Sequence, residues 1–515
     1  MEDPGCLCDR QAANCRLHTS LIFANSDRPR SPCSLADIPV DDEYQRLLMR
    51  MFVGRLAMLD LGFASSRVCT GWSRRSAIQI GSLGALGLTL SHWLARRSAA
   101  NSSAKVKSVL LLWLWGGPSH HETWDPKPNA PVAIRGPFRP IATATPGTQI
   151  SELLPGLAAR TRDFAILRSL NHDQKDHNVA GTIGLTGHVF GAKASGGVPF
   201  AGNVRPSLGS LVSYLTRART GDWPGFTVLG PLCKVSGEAL RGQTASVLGA
   251  PHDPFRIEGF SFDDGVRIPP SLEPLKEIAE ARLTRRRDLL TQFDAVQRRL
   301  ESTGELGRYS DLEQKAFALV SSGATKGALN LDAESDATRN QYGRTVFGQN
   351  LILGRRLIEA GVPFVQVNWS GDAEDEQQGG DGGWDLHYRL FERMQERYCP
   401  IYDQAVCALL DDLRARGLDQ STLVIAMGEF GRSPAISGIG GREHWPYVYS
   451  AMIAGGGVPG GLVLGASDAE GGHPRTRPIH PAGLIATILE KMGLDRLALG
   501  DRDASVVEAT IPELG

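Results

Sequence analysis

Residues 109–115 form an unbroken apolar run that stops abruptly at Gly116-Gly117-Pro118. A strand buried on both faces has this pattern, because a sheet covered by helices leaves it no polar side. Residues 423–427 repeat the pattern, and residues 164–167, 362–367 and 449–454 supply further strand-length runs. Between them, residues 153–159, 179–185, 346–360, 388–416 and 482–492 predict helices. Gly361 reads as the C-cap of the third, and Pro400 predicts an interruption of the fourth. Strands separated by helices predict right-handed crossover units around a mostly parallel sheet, an α/β fold. The span 272–302 is densely charged, with Leu275, Ile278, Leu283 and Leu300 among apolar residues at helical spacing. With a second helix near 312–320 it predicts an external helical insertion at about 270–325.

The N-terminal pattern is of another kind. Ser73-Arg74-Arg75-Ser76-Ala77-Ile78 precedes a weakly apolar, Gly-rich stretch to Leu90, then Arg96-Arg97 and Ser98-Ala99-Ala100. This resembles a twin-arginine export signal, with processing near Ala100 or Ala104. The apolar run, about 14 residues, is short of a membrane span, so no stable span is expected. Residues before Met58 are polar and lack periodicity, which places the expected physiological start at Met49, Met51 or Met58. The expected organisation is therefore an extension and export signal over 1–104 and one domain over 105–515. The expected location is periplasmic or extracellular, and the expected partner is the twin-arginine export machinery.

Composition narrows the class. The chain has 515 residues and a formal net charge of -1, which gives no reason to expect nucleic acid as a partner. Of its 8 cysteines, only Cys233, Cys399 and Cys407 lie beyond Cys69. They form neither a disulfide framework nor a zinc ribbon.

Chemistry gathers at the predicted strand ends. Ser119, His120, His121, Glu122 and Asp125 follow the first strand. Asp385 and His387 lie in Gly382-Gly383-Trp384-Asp385-Leu386-His387, beyond the strand at 362–367. Glu429 and Arg432 lie in Gly428-Glu429-Phe430-Gly431-Arg432-Ser433-Pro434, beyond the strand at 423–427, and His444 follows in Gly441-Arg442-Glu443-His444-Trp445-Pro446. In open parallel sheets the ligand crevice lies beyond the carboxyl ends of the strands. Carboxylates and imidazoles drawn there from separate strands suit a divalent metal or an anionic ester. Each residue also has a plain structural reading: Asp385 as a helix cap, Glu429 paired with Arg432 or Arg442, His444 packed in the core. The chain lacks G-x-S-x-G, H-E-x-x-H and a phosphate loop.

Together these motifs resemble the family known as domain of unknown function 1501, in the alkaline phosphatase and sulfatase superfamily. GGPSHHETWDPKP (116–128), HNVAGTIGLTG (177–187), AFALVSSGA (316–324), RNQYGRTVFGQNLILGRRLIEAGVPFVQV (339–367), GGWDLH (382–387), GEFGRSP (428–434) and GREHWP (441–446) carry the resemblance. It implies a three-layer αβα sandwich with a mostly parallel central sheet, alkaline phosphatase-like. The sulfatase pattern also breaks here. Gly116-Gly117 stand where such a chain places two metal-binding aspartates. His177 stands at the formylglycine position and Gly181 at that of its arginine. Glu429-Phe430-Gly431 replaces D-H-G. Residues 481–494 resemble the superfamily's terminal helix.

The resemblance thus implies an exported metal-dependent hydrolase of phosphate or sulfate esters that lacks the formylglycine motif. Its substrate would be an anionic ester, such as a sulfated or phosphorylated glycan. Glu122, Asp125, Asp385, His387, Glu429 and His444 would hold a divalent ion, calcium or zinc. His177 would be a ligand or general acid/base, Arg432 would grip the anionic group, and Ser119 would be a weaker candidate nucleophile. The alternative is a non-catalytic binding or scaffold protein of the envelope on the same fold.

Overall fold

Strand β1 (Ser108–Leu114) is buried along its whole length because its alternate side chains enter two different cores. Leu110, Leu112 and Leu114 join one apolar cluster, and Val109, Leu111 and Trp113 join another. The computed structural model describes residues 106–216, 223–235, 237–257, 327–369, 383–495 and 509–515. The proposed export signal and the helical insertion at about 270–325 lie outside them. Among the described residues, no helix is long and apolar enough to cross a membrane.

After β1 come α1 (Pro155–Ala158), β2 (Phe164–Leu170), α2 (His177–Thr186) and α3 (Leu208–Thr216). Next are β3 (Thr227–Leu229), β4 (Phe255–Ile257), α4 (Val346–Glu359), β5 (Phe364–Trp369), α5 (Cys399–Ala415) and β6 (Thr422–Met427). A hairpin of β7 (Gly431–Ile436) and β8 (Arg442–Trp445) leads to β9 (Tyr449–Gly455), β10 (Val463–Leu464) and α6 (Pro481–Lys491).

The main sheet has 8 strands in the order β10-β2-β9-β6-β1-β5-β3-β4. The run from β6 to β4 is parallel throughout. Strand β9 runs antiparallel to both its neighbours, and β10 pairs parallel with β2. Leu351 and Leu353 of α4 and Leu409 of α5 pack on one face of the sheet. Leu211 of α3 and Leu484 and Ile485 of α6 pack on the other. The fold is therefore the three-layer α/β sandwich with a mostly parallel sheet that the sequence predicts.

Local signals account for the helix ends. Thr345 caps α4 by accepting from the Gly348 N–H, and Asp176 caps α2 by accepting from Asn178 and Val179. Helix α2 closes at Gly187 in the left-handed region. Pro400 does not interrupt its helix. The helix changes type there and does not end: a π-turn at Met394–Tyr398 joins the preceding helical turn to α5, whose second residue is Pro400.

Parallel strands β1 and β6 end side by side, Trp113 level with Met427. Gly116 and Gly117 then turn the chain at φ 106° and 79°. A Cβ on Gly116 would lie 2.2 Å from the Asp385 nitrogen, and one on Gly117 would lie 2.5 Å from the Phe430 ring. The glycines let two other strand-end segments press directly against the end of β1.

Candidate metal centre

Four side chains converge where these segments meet. His177 opens α2, Asp385 and His387 lie in the loop before Leu390, and His444 sits on β8. His444 Nε2 is 3.1 Å from Asp385 Oδ1 and 2.9 Å from His387 Nε2. His387 Nε2 is 3.0 Å from Asp385 Oδ1, and His177 Nε2 is 3.2 Å from Asp385 Oδ2. Donors set about 2.0–2.1 Å from one tetrahedral ion stand roughly 3.3 Å apart, close to the spacings among His387 Nε2, His444 Nε2 and Asp385 Oδ1. Ligand atoms of His177, Asp385 and His444 all lie within 4.8 Å of one another.

The far sides of the imidazoles are held so that Nε2 faces inward. His177 Nδ1 donates to Glu429 Oε1 at 2.6 Å. The same Oε1 accepts from the Gly116 N–H at 2.9 Å. His444 Nδ1 donates to the Lys175 carbonyl at 2.8 Å. His387 Nδ1 lies 3.2 Å from Glu443 Oε2. Histidines that ligate a metal are oriented in this way by a partner on the second nitrogen. His177 Nε2 sits at ion-pair distance from Asp385 but without hydrogen-bond geometry, and it is a buried orphan, as is Glu429 Oε2. A divalent ion suits that Nε2 atom.

The electrostatics agree. Burial raises the pKa of Asp385, but the Arg432 charge and the imidazoles of His177, His387 and His444 that face it outweigh it and hold the carboxyl well below the usual range. Burial lowers that of His177, but the Asp385 and Glu429 carboxylates facing its two nitrogens prevail and push it up to about 9. Burial brings His444 down to about 4. At neutral pH Asp385 is thus ionised and His444 neutral, the forms that bind metal, whereas His177 is protonated in the metal-free protein and releases that proton when its Nε2 takes an ion. Glu429→Gln removes the charge that orients His177. It is expected to weaken zinc affinity by about 10–100-fold in a titration against a chromophoric chelator. An unchanged affinity would free His177 of any need for Glu429.

Other residues singled out in the sequence are engaged elsewhere. Glu122 does not join the cluster: it accepts from Arg442 Nη2 at 2.6 Å and from the Ser119 hydroxyl. Ser119 is buried and donates its hydroxyl to that carboxylate. Asp125 pairs with Lys127 at 2.9 Å and accepts from Ser467, which corrects its reading as a ligand. Glu429 stands one step behind the cluster, as the partner of His177. The Arg432 donors are all engaged within the protein. This side chain is fully buried and donates to Asp385 and to the carbonyls of Gly116, Gly117, Trp384 and Arg442. Nor does Asp385 cap a helix; Arg389 stands at the N-cap of the helical turn that follows. Sequence reasoning missed Arg442 and Lys175. Arg442 gave a faint signal as one of two possible partners for Glu429; Lys175 gave none, because it contributes its carbonyl to His444.

The chain aligns at low similarity with solved structures. Ps i-CgsB in complex with k-i-k-neocarrahexaose is 11% identical, with 79% of this chain and 75% of that one covered and a TM-score of 0.36. A sulfatase from Pseudoalteromonas sp. is 12% identical, with coverages of 78% and 72% and a TM-score of 0.31. The phosphonate monoester hydrolase of Agrobacterium radiobacter is 12% identical, with coverages of 79% and 77% and a TM-score of 0.31. No curated protein matches the sequence. The sequence profile of one family matches residues 106–504, and the chain belongs to it: DUF1501, proteins of unknown function.

Proposed function

We propose that this chain is an exported, metal-dependent hydrolase of phosphate or sulfate esters, with a single ion held by His177, Asp385, His387 and His444. The donor atoms of His177, Asp385 and His444, all within 4.8 Å of one another, with His387 Nε2 beside those of Asp385 and His444, carry this reading. That donor set favours zinc or a similar transition ion over calcium, which prefers six to eight oxygen ligands. A bound ion would stabilise the negative charge that develops on the ester oxygens and activate water.

The chain's own groups build the rest. Glu429 and the Lys175 carbonyl fix two imidazoles, and Arg432 holds Asp385 ionised. His387 is the most exposed of the four, at 32%, and marks the side from which substrate enters. With Ser119 engaged by Glu122, attack is assigned to water. The substrate class is an anionic ester such as a sulfated or phosphorylated glycan. The Arg74-Arg75 segment would direct export, with 1–104 removed or external to the catalytic domain of 105–515.

The test is elemental analysis of the purified full chain, followed by turnover assays on a panel of phosphate and sulfate esters. One transition ion per chain is expected. Chelation should abolish turnover, and zinc should restore it. Turnover that survives complete metal removal would overturn the proposal. Full metal content with no turnover on any ester would favour the binding or scaffold alternative.

A further inference from the structure

The two arginines nearest the centre cannot meet an anionic substrate. Arg432 and Arg442 are both 0% exposed, and their donors are engaged by carbonyls and by Asp385 and Glu122. Lys175 is exposed, and its own carbonyl accepts from His444 Nδ1 at 2.8 Å, so its backbone stands behind His444, one residue removed from the donor cluster. Its ammonium stands 5.2 Å from the Trp445 ring centre and 5.3 Å from that of Tyr447.

Those rings are themselves fixed. Trp445 Nε1 donates to the Gly472 carbonyl at 2.6 Å, and the Pro446 carbonyl between the two rings accepts from the His172 N–H at 3.0 Å. Trp445 and Tyr447 meet edge to face at 5.0 Å. Among the described residues Lys175 has no carboxylate partner, whereas Lys127 and Lys193 each have one. An ammonium held over two aromatic faces loses much of its conformational freedom, so little ordering entropy remains to oppose an anion.

We infer that Lys175, held by Trp445 and Tyr447, is the rim cation that receives the tetrahedral oxyanion of the substrate. It is a specificity-determining group for the site proposed above and rests on that reading. The carbonyl of Lys175 serves His444 and its ammonium serves the ligand, so a side-chain substitution separates the two roles.

The experiment measures binding of inorganic phosphate and of inorganic sulfate to the zinc-loaded full chain by calorimetry. Wild type, Lys175→Met and Lys175→Arg are compared at two ionic strengths, with zinc content determined for each. Lys175→Met is expected to weaken anion binding by about 10-fold, the loss of one charge-assisted hydrogen bond. Lys175→Arg should stay near wild type, and zinc content should be equal in all three. The wild-type affinity should fall with added salt, and the Lys175→Met affinity should fall less. Equal anion affinities in wild type and Lys175→Met, with zinc bound in both, would overturn the inference alone. Loss of zinc from Lys175→Met would also overturn it, by showing a structural role. A wild-type chain that takes up no zinc would overturn the metal reading and this inference with it.

Discussion

Asp385→Ala is expected to abolish zinc binding and to destabilise the metal-free protein by about 3–5 kcal/mol, the cost of removing one partner from a buried ion pair. Both effects follow from the position of this carboxylate. Its Oδ1 accepts from Arg432 Nη2 at 2.5 Å and faces His387 and His444, and its Oδ2 faces His177. Arg432 is fully buried and has no other carboxylate partner among the described residues. Without Asp385 the guanidinium charge stays in the core with only carbonyl dipoles around it. The same loss removes the sole charged oxygen of the donor cluster, so the drop in zinc affinity should exceed the ~100-fold upper range for loss of an outer partner. Asp385→Asn separates the two effects. It keeps the volume and one acceptor, and should lose most zinc affinity with a smaller change in stability. Denaturant unfolding of the metal-free variants and zinc titration of the same samples give both quantities. A denaturant midpoint unchanged by Asp385→Ala would refute the role given to the Arg432 pair.

The strands were legible where both faces are buried. The runs that became β1 and β6 are apolar throughout because each feeds two cores. The same property hides direction: β9 is as apolar as β6, and nothing in its residues marks it as antiparallel. Strands β3 and β4 are only 3 residues each and left no periodicity to read. Clustering at strand ends pointed to the right edge of the sheet. It gave no side-chain directions. After Gly116-Gly117 reverses the chain, Ser119 and Glu122 turn toward Arg442, and Asp125 toward Lys127 and Ser467. Whether a carboxylate meets a metal or an arginine depends on a partner more than 300 positions away, as Glu122 and Arg442 show with a separation of 320. Local sequence does not encode that choice.

The metal-free protein should lose stability steeply on acidification, because several imidazoles are buried in their neutral form. Burial lowers His120 and His172 from 6.5 to about 4, and holds His121 well below its ordinary value. The contacts explain why a proton is unwelcome. His172 Nε2 donates to the Glu429 carbonyl at 2.6 Å, while its Nδ1 accepts from the Gln174 N–H at 3.1 Å. Protonating Nδ1 would break that second bond. His120 donates from Nε2 to the Gly471 carbonyl at 2.9 Å, and its Nδ1 has no acceptor to meet a new N–H. Both ring nitrogens of His121 are buried without partners. For each, the folded pKa is below the unfolded one. The unfolded chain therefore binds more protons between the two values, and stability falls with pH across that window. The contribution is complete above about pH 6.5 and is lost as pH falls toward 4, on the order of 3 kcal/mol for each of His120 and His172. His177 acts in the opposite sense. Its folded value of about 9 lies above the unfolded one, so its contribution is complete below pH 6.5 and is lost as pH rises through 9. The two trends place the stability maximum of the chelator-treated protein near pH 6.5, with the steeper decline on the acid side. Urea unfolding between pH 4 and 9 tests this. Equal stability at pH 4.5 and pH 7 would show that the buried imidazoles take up protons without cost. Zinc should sharpen the acid limb, because protons then compete with the ion for His177, His387 and His444 as well. In His172→Gln the acid limb should be shallower by one proton, since the amide keeps a donor for the Glu429 carbonyl and has nothing to titrate.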